Sequence, residues 1–155
     1  NITFIPALTG LGAPYWNTNV RGAIFGITRN TGIADIVKAT LESIAFQTHD
    51  LLSCMQKDSK IKVNEIRVDG GMIKNNRFIQ ILSDILQIQI VRPKNVEITS
   101  LGVAYLAGLS CGIINDTKEI ERLWKANTII KPEQKKKQIN IKLKNWHDKV
   151  SKLIN

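Results

Sequence analysis

The sequence has few of the features that mark several large protein classes. Every apolar run stops well short of the roughly 20 residues that a membrane-spanning helix needs, and cysteine occurs only at Cys54 and Cys111. No CxxC pair or Cys/His cluster is present, which argues against a disulfide framework and against a thiolate zinc site. We expect both cysteines to be small buried side chains in a reduced, cytoplasmic protein.

Two common nucleotide-binding patterns are missing as well. There is no GxxxxGK[ST] stretch, and Gly10 and Gly12 are not followed by a third glycine at the GxGxxG spacing. The sequence is therefore not that of a P-loop or dinucleotide-fold enzyme. With 43% hydrophobic and 23% charged residues, it has the balance of an ordinary globular domain.

The net charge of +9 comes mainly from the C-terminal 25 residues. Residues 131–155 contain eight lysines against Glu133 and Asp148. Apolar residues recur there at helical spacing, which predicts an amphipathic helix with a solvated lysine face. Its apolar positions are Leu143, Trp146, Val150, Leu153 and Ile154. Binding of nucleic acid or of an anionic membrane by these lysines is a less favoured alternative.

Hydrophobic periodicity predicts alternating strands and helices along the rest of the chain. Strands are expected near residues 3–8, 23–27, 65–69 and 88–92, and helices over 33–57, 75–86 and 116–124. A further helix is expected to begin near Thr99 or Ser100, either of which could cap it. Alternation of this kind is typical of an α/β fold, in which helices cover a sheet.

One stretch, VDGGMIKNN at residues 68–76, falls where a predicted strand ends and a predicted helix begins. Adjacent glycines can simply form a tight turn, because glycine adopts positive φ without steric cost. They can also let the backbone lie flat against a planar ligand. Ligands of α/β folds bind beyond the carboxyl ends of the strands, which is where Gly70 and Gly71 are expected. The position of the two glycines therefore supports the ligand interpretation.

Four motifs, taken in order, resemble the glycerol kinases of the FGGY carbohydrate kinase family. They are TGLGAPYW at 9–16, RGAIFGITR at 21–29, RVDGGMIKNN at 67–76 and EITSLGVAYLAGL at 97–109. The resemblance implies a partial ribonuclease H-like domain of the actin and sugar-kinase type, with a mixed sheet flanked by helices. The resemblance assigns residues 1–130 to the nucleotide side of the family's C-terminal domain. The helical pattern of the lysine-rich tail adds residues 131–155 as a basic amphipathic helix packed on it.

The same resemblance implies transfer of the ATP γ-phosphate to glycerol, with Mg²⁺, giving glycerol 3-phosphate and ADP. Carried over by motif, Gly71 lies against the adenosine and the Asn75 amide contacts the adenine. Asn76 is expected to be a helix-start side chain, and His49 and His147 are assigned no role because no partner lies at an informative spacing.

The catalytic aspartate, the glycerol contacts, the Mg²⁺ ligands and the main phosphate loops of the family lie N-terminal to this sequence. We therefore name no catalytic and no metal residue, and expect residues 1–155 alone to be inactive and marginally stable. The alternative is a non-catalytic remnant or an adenine-nucleotide-binding or interaction module. Expected partners are ATP or ADP, glycerol only together with the missing N-terminal part, and either a second copy or a complementing N-terminal fragment.

Overall fold

The computed structural model of the chain describes residues 2–94 and 97–155. Helices and strands alternate as the sequence predicts, with bounds that differ by a few residues. The strands are β1 (Thr3–Ile5), β2 (Ala23–Phe25), β3 (Glu65–Arg67), β4 (Gln89–Pro93) and β5 (Ala126–Ile130). The helices are α1 (Ile33–Ser59), α2 (Asn76–Leu86), α3 (Ile98–Ser110), α4 (Thr117–Leu123) and α5 (Lys136–Ile154), and Gly71–Lys74 forms a short 3-10 helix.

The strands form two small sheets. In one, β1 and β2 pair antiparallel. In the other, β4 is central, parallel to β3 and antiparallel to β5. The fold is therefore α/β with a mixed sheet, as predicted. The segment from β3 through α2 to β4 is a βαβ unit, in which a helix joins two parallel strands and packs on their face.

The hydrophobic core lies between α1, α2, α5 and the sheets. Ile79 of α2, Ile90 of β4 and Ile139 of α5 are almost completely buried. The α2 sequence alternates apolar and polar residues with a period near 3.6, and its buried face is continuous from Phe78 to Leu86. That amphipathic pattern is what places α2 between α1 and the sheet.

The C-terminal helix α5 packs on α1 through a large aromatic contact. Trp146 is fully buried and stacks on Phe46 of α1 with 5.2 Å between ring centroids. An ion pair at the edge joins the same helices, with Lys142 Nζ 2.9 Å from Glu42 Oε1. The lysines at 135–137 stay exposed. An amphipathic helix of this type buries its apolar stripe and leaves its charged face in water.

One strand was not predicted from the sequence, and two expectations drawn from it were wrong. The missed strand is β5. The helix α3 begins at Ile98, so Thr99 and Ser100 lie inside its first turn and neither is the N-cap residue. Cys111 is exposed rather than buried, and Cys54 is half-buried.

Two helices expose apolar side chains that a closed domain would cover. Along α1, Ile33 is 82% exposed and Val37 is 52% exposed. Along α3, Val103 and Leu106 are both about two-thirds exposed, and Gly108 is the one buried residue among those of α3 that the structure describes. Single exposed apolar residues are common, but rows of them on one helix mark a surface that packs against something else.

Among the described residues, none of the helices combines the length and apolar character that crossing a bilayer requires.

Candidate functional site

The predicted site lies where the chain leaves β3. The backbone N–H of Val68 donates to the Val91 carbonyl at 3.1 Å, which extends the β3–β4 pairing by one residue. The chain then turns at Gly70, with φ 88° and ψ −179°, a conformation that only glycine adopts at low cost. We call residues 69–71 the glycine corner. It lies at the carboxyl ends of two parallel strands, where α/β folds bind ligands.

The glycine corner is open to solvent. Gly70 and Gly71 are both exposed, and a Cβ atom built on either would meet no described atom within 4 Å. Gly71, unlike Gly70, does not have a positive φ. Of these two positions, only Gly70 has a backbone conformation that requires glycine. At Gly71 the missing side chain leaves free space over the backbone, which fits the flat approach of a planar group.

Asn75 connects the corner to α2. Its side-chain Oδ1 accepts hydrogen bonds from the backbone N–H groups of Arg77 at 3.0 Å and Phe78 at 3.1 Å. These are two of the donors that the first turn of a helix leaves unsatisfied. Its Nδ2 donates to no other residue in the parts of the chain that the structure describes, and the side chain is exposed. The carboxamide therefore has its oxygen engaged by the helix and its two N–H groups available.

The residue that caps α2 is Asn75 and not Asn76. We expected Asn76 to be the helix-start side chain and the Asn75 amide to contact the adenine, a contact that stays a prediction. In the structure Asn75 is the N-cap residue, whereas Asn76 is the first residue of α2 and its Oδ1 accepts a hydrogen bond from Arg92 Nη1 at 2.8 Å. Arg92 also donates from Nη1 to the Ile73 carbonyl at 3.1 Å and from Nη2 to Thr128 Oγ1 at 3.2 Å. It joins the 3-10 helix after the corner to β4 and β5, and so holds the corner in place.

A second cluster of polar side chains surrounds Asp50 on α1, and no sequence pattern predicted it. Tyr15 Oη donates to Asp50 Oδ2 at 2.6 Å, and Trp146 Nε1 donates to the same oxygen at 2.7 Å. His147 Nε2 lies 2.7 Å from Oδ1, and His49 Nδ1 lies 3.5 Å from it. We call these five residues the Asp50 cluster. They bring together α1, α5 and the loop between β1 and β2.

The cluster favours an ionised carboxylate. Burial by itself would raise the pKa of the Asp50 carboxyl, which is only 6% exposed. The hydrogen bonds from the four surrounding side chains outweigh burial and lower that pKa from 3.8 to about 2. Burial, together with the hydrogen bond to the charged Asp50, raises the pKa of the Tyr15 hydroxyl. Asp50 is thus a buried anion that is stabilised by its donors.

His49 and His147 were assigned no role from the sequence. No sequence pattern predicted that both side chains lie next to Asp50 in the fold. His147 is 97 positions from Asp50 along the chain. A local motif cannot reveal a contact between residues so far apart, and only the docking of α5 onto α1 creates it.

Comparison with known proteins gives a consistent result. A family model described as the FGGY family of carbohydrate kinases, C-terminal domain, matches residues 1–111. The glycerol kinase of Malacoplasma penetrans is 46% identical over 155 residues, which is all of this chain and 31% of that protein. Glycerol kinase 2 of Sulfolobus acidocaldarius is 51% identical over 132 residues, 85% of this chain and 27% of that protein.

Solved structures of the same family have the same fold. The crystal structure of Plasmodium falciparum glycerol kinase with ADP matches with a TM-score of 0.88 and 35% identity, covering 99% of this chain and 31% of that one. Gluconate kinase from Lactobacillus acidophilus matches with a TM-score of 0.80 and 28% identity, over 99% of this chain and 31% of that one. The chain spans less than a third of the length of each of these relatives. The resemblance found in the sequence motifs is thus confirmed: the chain belongs to the FGGY family of carbohydrate kinases, and its residues 1–111 match the C-terminal domain of that family.

Proposed function

We propose that this chain is the ATP-binding part of a glycerol kinase, which transfers the γ-phosphate of ATP to glycerol and produces glycerol 3-phosphate and ADP. The observation that carries the proposal is the open glycine corner with the free Asn75 amide beside it, at the carboxyl ends of two parallel strands. Similarity to proteins named glycerol kinase supports the choice of acceptor, and similarity to the structure of Plasmodium falciparum glycerol kinase with ADP supports the choice of nucleotide.

In this proposal Gly71 and Asn75 recognise the adenosine. The adenine ring lies against the backbone at Gly71, because no side chain occupies that space. The Nδ2 group of Asn75 donates to a ring nitrogen of adenine, while its Oδ1 stays bonded to the first turn of α2. The N-capping bonds fix the orientation of the amide before the ligand arrives, which lowers the entropy cost of binding.

The remaining parts of the reaction are proposed to come from outside residues 1–155. Phosphoryl transfer needs positioned phosphates, a divalent metal that neutralises the developing charge, and a group that accepts the proton of the attacking hydroxyl. The uncovered apolar rows on α1 and α3 support a further part of the kinase that packs there. Within the chain, residues 1–130 form the nucleotide side in this proposal, and residues 131–155 the basic helix that packs on it.

A chimera provides a complete enzyme for the test. In it, this chain replaces the 155 matched residues of the Malacoplasma penetrans glycerol kinase. The proposal predicts glycerol-dependent formation of ADP by the chimera and none by residues 1–155 alone. If the chimera binds ADP but does not phosphorylate glycerol, the chain is a nucleotide-binding module without transfer activity. Turnover by residues 1–155 alone, well above background, would contradict the need for the missing parts.

The first variant tests the open space at Gly71. Gly71→Ala places a methyl group where the adenine ring is proposed to lie, and should raise the KM for ATP at least about tenfold while the KM for glycerol changes little. Gly12→Ala is the matched control, since Gly12 is also exposed and a Cβ atom there also meets no described atom within 4 Å. An unchanged KM for ATP in Gly71→Ala rules out the assigned adenine position.

The second variant separates capping from ligand contact at Asn75. Serine caps helices about as well as asparagine but carries no amide. Asn75→Ser should therefore keep the thermal stability of the chimera and weaken ADP binding roughly 5- to 10-fold, the contribution of one hydrogen bond. Asn75→Ala should lower both. If Asn75→Ser binds ADP like the unmodified chimera, Asn75 is only a capping residue.

A further inference from the structure

Three side chains of the Asp50 cluster direct ligand atoms toward one another. His49 Nδ1, Asp50 Oδ1 and His147 Nε2 all lie within 4.8 Å of one another. The separations from Oδ1 are 2.7 Å to His147 Nε2 and 3.5 Å to His49 Nδ1. Ligand atoms around a tetrahedral Zn²⁺ ion, each about 2.1 Å from the metal, lie about 3.4 Å apart. These two separations bracket this value, and the third, between the two imidazole nitrogens, is no more than 4.8 Å, so rotations of the histidine side chains would produce the required triangle.

The ligand types and their exposure also fit zinc. Two imidazoles and one carboxylate form a ligand set found in zinc sites that keep a fourth position open for water. The His49 and His147 side chains are 24% and 48% exposed, whereas the Asp50 side chain is only 4% exposed. The carboxylate therefore forms the floor of the site, and solvent reaches it past the two rings.

The surrounding donors orient the carboxylate for a single bond to a metal. Tyr15 and Trp146 both donate to Asp50 Oδ2, which leaves Oδ1 facing the two histidines. Outer hydrogen bonds of this kind fix the ligand orientation in metal sites, and removing them typically weakens metal binding 10- to 100-fold. Trp146 is fully buried and stacked on Phe46, so its donor position is rigid.

We propose that His49, Asp50 and His147 bind one Zn²⁺ ion, with water as the fourth ligand, and that the ion fastens α5 to α1. The metal takes one lone pair from His147 Nε2 and one from His49 Nδ1. In each neutral ring the proton therefore resides on the other nitrogen, and the contacts of both rings with Asp50 Oδ1 are replaced by bonds from the three ligand atoms to the metal. The site consists of residues that the proposed kinase function does not use, and the inference does not depend on that function.

The test is a titration of Zn²⁺ alone into residues 1–155, prepared without a histidine tag, with the heat of binding measured by calorimetry. Cys54→Ser and Cys111→Ser are introduced first, because the exposed thiol of Cys111 could bind zinc by itself. One ion should bind per chain, and the midpoint of thermal unfolding should rise with zinc and fall back when a chelator is added. Co²⁺ as a second probe should give the intense visible absorption of a tetrahedral site.

Single variants decide between a metal site and a plain hydrogen-bond network. His49→Gln and His147→Gln should each weaken zinc binding at least tenfold and abolish the zinc-dependent rise in unfolding temperature. Asp148→Asn is the matched control, because Asp148 is an exposed carboxylate next to His147 that is outside the cluster. The proposal is overturned if zinc does not bind, or if both histidine variants bind it as tightly as the parent chain. Both histidines are partly exposed, so their replacement leaves the core intact, and circular dichroism of each variant verifies this.

Discussion

The strongest prediction concerns the buried anion at Asp50, and the structure gives its magnitude. Asp50→Ala removes the acceptor of the Trp146 Nε1–H group, which is fully buried and cannot turn to water. An unsatisfied buried donor costs about 1 to 3 kcal/mol, and the Tyr15 hydroxyl loses the same acceptor. We therefore expect Asp50→Ala to lower the free energy of unfolding by about 3 kcal/mol.

Asp50→Asn isolates the contribution of the charge. An Asn side chain can accept from Tyr15 and Trp146 through its oxygen and donate to His147 Nε2 through its amide, so the hydrogen bonds are kept and only the charge is lost. The pKa of Asp50 falls from 3.8 in the unfolded chain to about 2 in the folded one. This shift corresponds to about 2 kcal/mol, or about 1 to 2 kcal/mol after screening by water near the half-exposed His147. We expect Asp50→Asn to cost that amount.

The sign of the pH dependence follows from the same shift. A carboxyl with a lowered pKa in the folded state stabilises the fold above its unfolded pKa, and loses that effect as the pH falls through its folded pKa. The stability difference between the parent chain and Asp50→Asn should therefore be full at pH values above about 5. It should shrink toward zero as the pH approaches about 2.

The assay is urea unfolding followed by circular dichroism, in buffers that contain a chelator so that no metal contributes. Asp148→Asn serves as the control for loss of an exposed carboxylate on the same helix as His147, and it should change the unfolding free energy by less than about 0.5 kcal/mol. If Asp50→Ala unfolds at the same urea concentration as the parent chain, or if the effect of Asp50→Asn does not vary with pH, the buried-anion reasoning is refuted.

Three further predictions concern other parts of the chain. Gly70→Ala should lower the free energy of urea unfolding by about 1 to 3 kcal/mol, because Gly70 has φ 88°. Gly71→Ala should leave that free energy nearly unchanged, and equal effects of the two substitutions would contradict the assignment of backbone strain. Glu42→Gln should cost less than about 1 kcal/mol in the same assay, because Lys142 in this pair is 33% exposed, and a larger loss would show that the pair is better shielded from water. Cys111 should react with a thiol reagent in the folded chain at the rate of a free thiol, since it is exposed; strong protection would contradict that exposure.

The glycine corner could be predicted from the sequence because its signals are local. A strand pattern, two adjacent glycines and a helix pattern follow one another within a few residues, and each restricts the backbone independently. The roles of Asn75 and Asn76 could not be separated in the same way. Which of two neighbouring amides caps α2 depends on where Arg92 lies, and Arg92 reaches the corner from β4.

The strand β5 likewise could not be predicted from its own sequence. Its sequence, ANTII, is too short for its alternation to distinguish a strand from a loop. It becomes a strand because β4 offers it an unpaired edge, and Ile90 of β4 faces Ile130 across the antiparallel pair. Cys111 is another example. The apolar sequence of α3 predicted that Cys111 is buried, but it follows the last residue of that helix and is exposed.

Docking of α5 accounts for the Asp50 cluster, which the sequence could not reveal. The helix pattern of residues 131–155 predicted which side chains turn inward, including Trp146 and Val150, and both are buried. It could not predict what they meet. Once Trp146 stacks on Phe46, the next residue, His147, necessarily comes to lie at the rim of the same contact, above Asp50. The two hydrogen bonds that α5 supplies to Asp50 therefore follow from one aromatic contact, and weakening that contact should remove both of them.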